Sequence, residues 1–153
     1  MDGVEQVSCG YDHVLVLTRD GELFSWGSNK YGQLGIGNNF NQPSPIRIPA
    51  IATKIVRITS GGFHSMALGS DGALYSWGFN RDGQLGTGLK ANLCSDPTKV
   101  TGIPERITQM KAGRLHSMVI TLSHQLYCWG FNAYGQLGDG SQQDAPVPKK
   151  IEF

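Results

Sequence analysis

The chain has 153 residues and a net charge of +1, and the longest basic run is the pair Lys149-Lys150, so it lacks the electrostatic footprint of a nucleic-acid or anionic-membrane binder. No stretch approaches the roughly 18 apolar residues of a membrane span, and the start Met1-Asp2-Gly3-Val4-Glu5 has no basic segment followed by an apolar one, so neither a membrane anchor nor a secretory leader is expected. Cys9, Cys94 and Cys128 are odd in number and speak against a disulfide framework and for a reducing compartment, cytoplasmic or nuclear.

One stretch occurs three times: Trp26-Gly27-Ser28-Asn29-Lys30-Tyr31-Gly32-Gln33-Leu34-Gly35, then a copy beginning at Trp77, then one beginning at Trp129. The tryptophans are 51 and 52 residues apart, a structural period. A unit of that size is too small to bury a stable core alone, so neighbouring copies must supply each other's apolar partners. The 153 residues are therefore read as one repeat array, with units over approximately 4–54, 55–106 and 107–153.

Taken in order, each copy opens on an apolar pair: Val4/Val7, Ile55/Ile58 or Ile107/Met110. Three residues later comes Gly10, Gly61 or Gly113, marking either a positive φ or the close approach of another segment. Next comes His13, His64 or His116, and then a strand with large apolar residues on one face (Leu15/Leu17, Met66/Leu68, Met118/Ile120) and smaller ones on the other. Asp20-Gly21 and Asp71-Gly72 predict tight two-residue hairpins, whereas Ser123-His124 predicts a looser one. The returning strand carries paired aromatics, Phe24/Trp26, Tyr75/Trp77 and Tyr127/Trp129, which supply much of each unit's buried area.

In the signature loop that follows, glycines flank Leu34, Leu85 and Leu137, so the backbone reverses and pushes the leucine inward. A last strand is expected to start at Pro45, Pro97 or Pro148, where proline and alternating charge suit an outer edge. Four short strands per copy predict an all-β fold of three four-stranded antiparallel blades, a partial β-propeller. Three blades are fewer than the four at which propellers begin to close. The ring is therefore expected to be incomplete, with uncovered blade faces open to self-association or to further blades.

The Gly-x-x-His, Asp-Gly-x-Leu-x-Ser-Trp-Gly and Asn-x-x-Gly-Gln-Leu-Gly elements at this period resemble the regulator of chromosome condensation repeat. The resemblance covers essentially the whole chain and implies a propeller of typically seven blades. It also implies, as an alternative function, guanine nucleotide exchange on a small GTPase. The exchange factor of the family, however, carries an inserted wedge hairpin for which units of 51 and 52 residues leave no room. Light-sensing members rely on additional tryptophans in the segments occupied by Gly10-Tyr11-Asp12-His13, Gly61-Gly62-Phe63-His64 and Gly113-Arg114-Leu115-His116; none is present, and light sensing is not expected.

Residues one blade apart do not converge on one ion, so His13, His64 and His116 are read as structural, each packing and hydrogen-bonding the turn of its own blade, with no metal. Gly10, Gly61, Gly113, Trp26, Trp77 and Trp129 are structural on the same register argument. Cys128 replaces a serine of the other copies and reads as a small core residue. No catalytic set emerges, and the glycine-rich loops lack the lysine and the helix of a phosphate loop, so no cofactor is expected. The loop positions that vary between copies, Lys30/Tyr31, Arg81/Asp82 and Ala133/Tyr134, are the candidates for contact with a partner protein. The expected function is a non-enzymatic protein-protein interaction module.

Overall fold

The computed structural model describes residues 3–49 and 51–153; Met1 and Asp2, part of the start read above for a leader, and Ala50 lie outside the described residues. The strands are β1 (Val4–Cys9), β2 (His13–Thr18), β3 (Leu23–Gly27), β4 (Gln42–Arg47), β5 (Ile55–Ser60), β6 (His64–Gly69), β7 (Leu74–Phe79), β8 (Leu93–Val100), β9 (Ile107–Ala112), β10 (His116–Thr121), β11 (Leu126–Gly130) and β12 (Ala145–Ile151). They form three separate four-stranded sheets, each an antiparallel meander in chain order, and no sheet closes on itself. No helix among the described residues is long and apolar enough to cross a membrane.

The first strands meet at the hub. Gln6 on β1 donates from Nε2 to the Val56 carbonyl at 2.9 Å and accepts from the Ile58 amide at 3.1 Å, both on β5. The turns after these strands are linked in series, Tyr11 N to Gly62 O and Gly62 N to Arg114 O, each at 3.1 Å. Three blades thus radiate from one side of a hub, a partial propeller.

Two apolar cores lie between the blades. One joins Leu15, Leu17 and Leu23 of blade 1 to Ala67 and Trp77 of blade 2. The other joins Met66, Leu68 and Leu74 of blade 2 to Val119, Tyr127 and Trp129 of blade 3. The large apolar face of each β2-type strand therefore looks at the next blade, and the tryptophan face looks back at the previous one. Among the described residues the leading face of blade 1 has no such neighbour: Val4 and Val7 are 51% and 62% exposed, while their counterparts Ile107 and Met110 are buried.

Two expectations need correction. The hairpins are three-residue loops, not two-residue ones: the Thr18 amide bonds to the Glu22 carbonyl and Gly21 N returns to Thr18 O at 3.0 Å, with Gly21 at φ 87°. That is the signature of a type I turn closed by a left-handed residue. Blade 3 builds the same loop with His124 at φ 63° and a 2.9 Å return bond to Thr121, so its hairpin is no looser. The outer strands also begin before Pro45, Pro97 and Pro148, which lie inside β4, β8 and β12. An edge strand accepts prolines internally because one of its sides needs no ladder donors.

Candidate functional site: the loop end and the interblade relay

The Gly-x-x-His turns and the signature loops gather at one end of the blades, the hairpins at the other. Each signature loop is fixed by its own buried asparagine. Asn29 Oδ1 accepts from Leu34 N at 3.1 Å, and Asn80 and Asn132 repeat this with Leu85 and Leu137 at 3.2 and 3.0 Å. The loop glutamines accept from the amide two residues earlier, as Gln33 Oε1 does from Tyr31 N at 2.9 Å. Leu34, Leu85 and Leu137 are buried as a result.

The loop then reaches the following blade. The Gln33 carbonyl accepts from Trp77 Nε1 and from Ser65 Oγ, both at 3.0 Å. Ser65 Oγ in turn lies 3.0 Å from His13 Nε2. Since the serine hydroxyl donates its one proton to Gln33, His13 Nε2 must be the donor to Ser65. The second interface repeats this with His64 to Ser117 at 2.8 Å, and with Ser117 and Trp129 both at 2.9 Å from the Gln84 carbonyl. The expectation that each histidine hydrogen-bonds its own turn is therefore corrected: the ring packs on its own turn but donates to the next blade.

Packing on the turn explains the glycine. A Cβ on Gly61 would lie 2.1 Å from the His64 ring and 2.6 Å from the Gly113 carbonyl, and Gly10 is equally confined, so close approach rather than positive φ requires glycine there.

A His–Ser pair at 3.0 Å has the spacing of a base and a nucleophile. Here both partners are buried and the serine proton is committed to a backbone carbonyl, so the pair joins blades and activates nothing. Nδ1 of His13 and of His64 is buried without a partner. A neutral ring loses little there, whereas a protonated one would bury an unpaired N–H. Accordingly burial lowers His64 to about 3 and His13 to about 4, against a partial offset from Asp12 at His13, and also lowers the half-exposed His116. Burial pushes the Cys128 thiol up to about 11, which keeps it protonated and unreactive.

The six variable loop residues divide. Lys30, Arg81 and Ala133 are exposed and Tyr134 is 85% exposed. Tyr31 and Asp82 are half-buried. Tyr31 packs edge-on against Phe63 and at a steep tilt against Phe79, both of blade 2, with ring centroids 5.6 and 4.8 Å away, and burial beside Asp144 of blade 3 raises the Asp82 carboxyl. Sequence reasoning missed Tyr11 and Arg114. The Tyr11 ring, 59% exposed, meets Phe63 edge-on at 5.2 Å, and the Arg114 guanidinium of blade 3 lies 5.8 Å over it. Their signal was the variation of the two residues before each histidine, which equals that of the loop pair.

A family model described as the regulator of chromosome condensation (RCC1) repeat matches residues 20–68, 71–120 and 123–153, and a second of the same description matches 4–33, 55–84 and 107–136. The ultraviolet-B receptor UVR8 of Arabidopsis thaliana is 35% identical over 97% of this chain and 34% of its own length. The probable E3 ubiquitin-protein ligase HERC3 of Homo sapiens is 37% identical over 95% of this chain and 14% of its own. Among solved structures, Prp20p of Saccharomyces cerevisiae superposes with a TM-score of 0.89 at 28% identity, covering 98% of this chain and 38% of that one. The chain thus spans 14% to 38% of the length of these relatives. With the repeat model matched to all three blades and the blades superposing on those of a known propeller, the chain belongs to the RCC1-repeat family.

Proposed function

We infer that the chain is a non-enzymatic protein-interaction module that presents its loop end to a partner protein. One observation carries this reading. Tyr11, Phe63, Tyr31 and Phe79 form a continuous aromatic cluster across blades 1 and 2, flanked by Arg114 over Tyr11 and by Lys30 5.5 Å over Tyr31. Tyrosine and arginine held by aromatic neighbours give large contact area at low ordering cost, the chemistry of interface hot spots. Exposed Lys30, Arg81 and Tyr134 extend the surface around this centre.

The test is a double substitution, Tyr11→Ser with Arg114→Ser, beside Lys54→Ser at the hairpin end. A partner isolated on the wild-type protein is then titrated directly against each variant. At least tenfold weaker binding for the double variant, with the Lys54 variant unchanged, is expected. Equal binding by all three would reject the loop end as the contact surface.

The likeness to Prp20p, described with its binding to Gsp1p and histones, favours a second reading, an exchange factor or regulator for a small GTPase. Nucleotide release from a panel of small GTPases separates the two, and substantial acceleration by this chain would reverse their order.

A further inference from the structure

The blade 1–2 and 2–3 interfaces are two examples of one joint, and the trailing face of blade 3 presents the first half of a third. His116 is half-exposed with no serine opposite it among the described residues. Tyr134, the counterpart of the Tyr31 that packs against two rings of blade 2, is almost fully exposed. Met118, Ile120 and Leu126 line an apolar groove where their counterparts Leu15, Leu17 and Leu23 are covered. Continuity with the two formed joints defines what fits: a blade with a hydroxyl residue directly after its second-strand histidine, a tryptophan in its third strand, and bulky apolar side chains just before that histidine and just after the Trp-Gly pair.

Blade 1 does not meet this description. Its leading face keeps Trp26, but Val14 stands where blades 2 and 3 have Ser65 and Ser117, Asp12 where they have Phe63 and Leu115, and Ser28 where they have Phe79 and Phe131. A second copy seated head to tail would set valine methyls against His116 Nε2, leaving a donor without an acceptor. It would also place Tyr134 over a carboxylate and a serine instead of two rings. We propose that the trailing face of blade 3 docks a blade of the Ser/Trp/Phe type and rejects the leading face of this chain's own first blade. The proposal rests on the blade face and shares only Tyr134 with the loop-end surface.

Sedimentation velocity over a concentration series tests it, with the chain itself as the probe. The wild type is expected to show no association that His116→Ala alters. Converting the leading face by Asp12→Phe, Val14→Ser and Ser28→Phe together is expected to create head-to-tail association at least tenfold tighter than in the wild type, reversed when His116→Ala is added. Val14→Ser alone, which exchanges two methyls for one hydroxyl at a half-buried position, is measured alongside and is expected to give part of the gain, so a misfolded triple variant still leaves a result. Wild-type association that depends on His116 would overturn the proposal. So would a Val14→Ser variant that gains nothing, or a triple variant whose association survives His116→Ala.

Discussion

At the scale of single residues, the relay from histidine through serine to the glutamine carbonyl is a device that works only with a neutral ring. An imidazole held at about 3 in the folded chain against about 6.5 when unfolded takes up its proton only on unfolding. Above the unfolded value neither state is charged, and the histidine makes no contribution to pH dependence. As pH falls through that value the unfolded chain binds a proton that the folded chain refuses, so stability declines by about 1.4 kcal/mol per pH unit for each such histidine until the folded value is reached. His13, at about 4, adds a second proton over most of the same window. Urea unfolding of the wild type and of His64→Gln between pH 7 and pH 4 checks this. The variant, whose amide cannot titrate, is expected to lose about one proton of slope, and parallel curves would show that His64 is not the titrating group.

At the scale of elements, the β2–β3 hairpin and its two counterparts share one geometry built from different residues. Gly21 and Gly72 occupy the left-handed position with φ of 87°, where glycine meets no Cβ clash. His124 occupies it at φ 63°, at a cost of about 1–2 kcal/mol for an L side chain. His124→Gly is therefore expected to stabilise the protein by up to about 1 kcal/mol after the added unfolded-state entropy of glycine, read as a higher urea midpoint at unchanged m-value. A lower midpoint would mean that the imidazole makes a contact worth more than the backbone strain. A second shared device is the register shift beside each tryptophan, at Ser25/Gly27, Ser76/Gly78 and Cys128/Gly130. A bulge there turns the strand and aims the indole at the preceding blade.

At the scale of the whole molecule, three blades share two interfaces, and stability is expected to follow the neighbours rather than the blades. Trp77 and Trp129 are completely buried and donate to the blade before them, whereas Trp26 meets no preceding blade among the described residues and is only half-buried. The same substitution should thus have position-dependent cost: Trp77→Ala about 3–5 kcal/mol, as for a fully buried aromatic, and Trp26→Ala less than about 2 kcal/mol, since less apolar area leaves water there on folding. Equal losses in the two variants, measured by thermal or urea unfolding, would mean that each sheet carries its own core.

The sequence by itself determined the blades. Period, strand alternation and the flanked leucines are local properties, and sheets of four strands follow from them wherever the chain is placed. It also set the histidines, tryptophans and glycines in one register in all three copies, which implies identical backbone geometry. Only the tertiary structure decided what those residues touch. The His13–Ser65 bond spans 52 positions and Trp77 to Gln33 spans 44, and no local pattern encodes which surfaces meet when one blade stacks on the next. For the same reason Tyr31 and Asp82, alike in sequence to exposed loop residues, proved to be partly covered by a neighbouring blade, while Tyr11 and Arg114 came together from different blades. Contacts between repeats are set by the angle and spacing of the stack, and that information exists only once the blades are assembled.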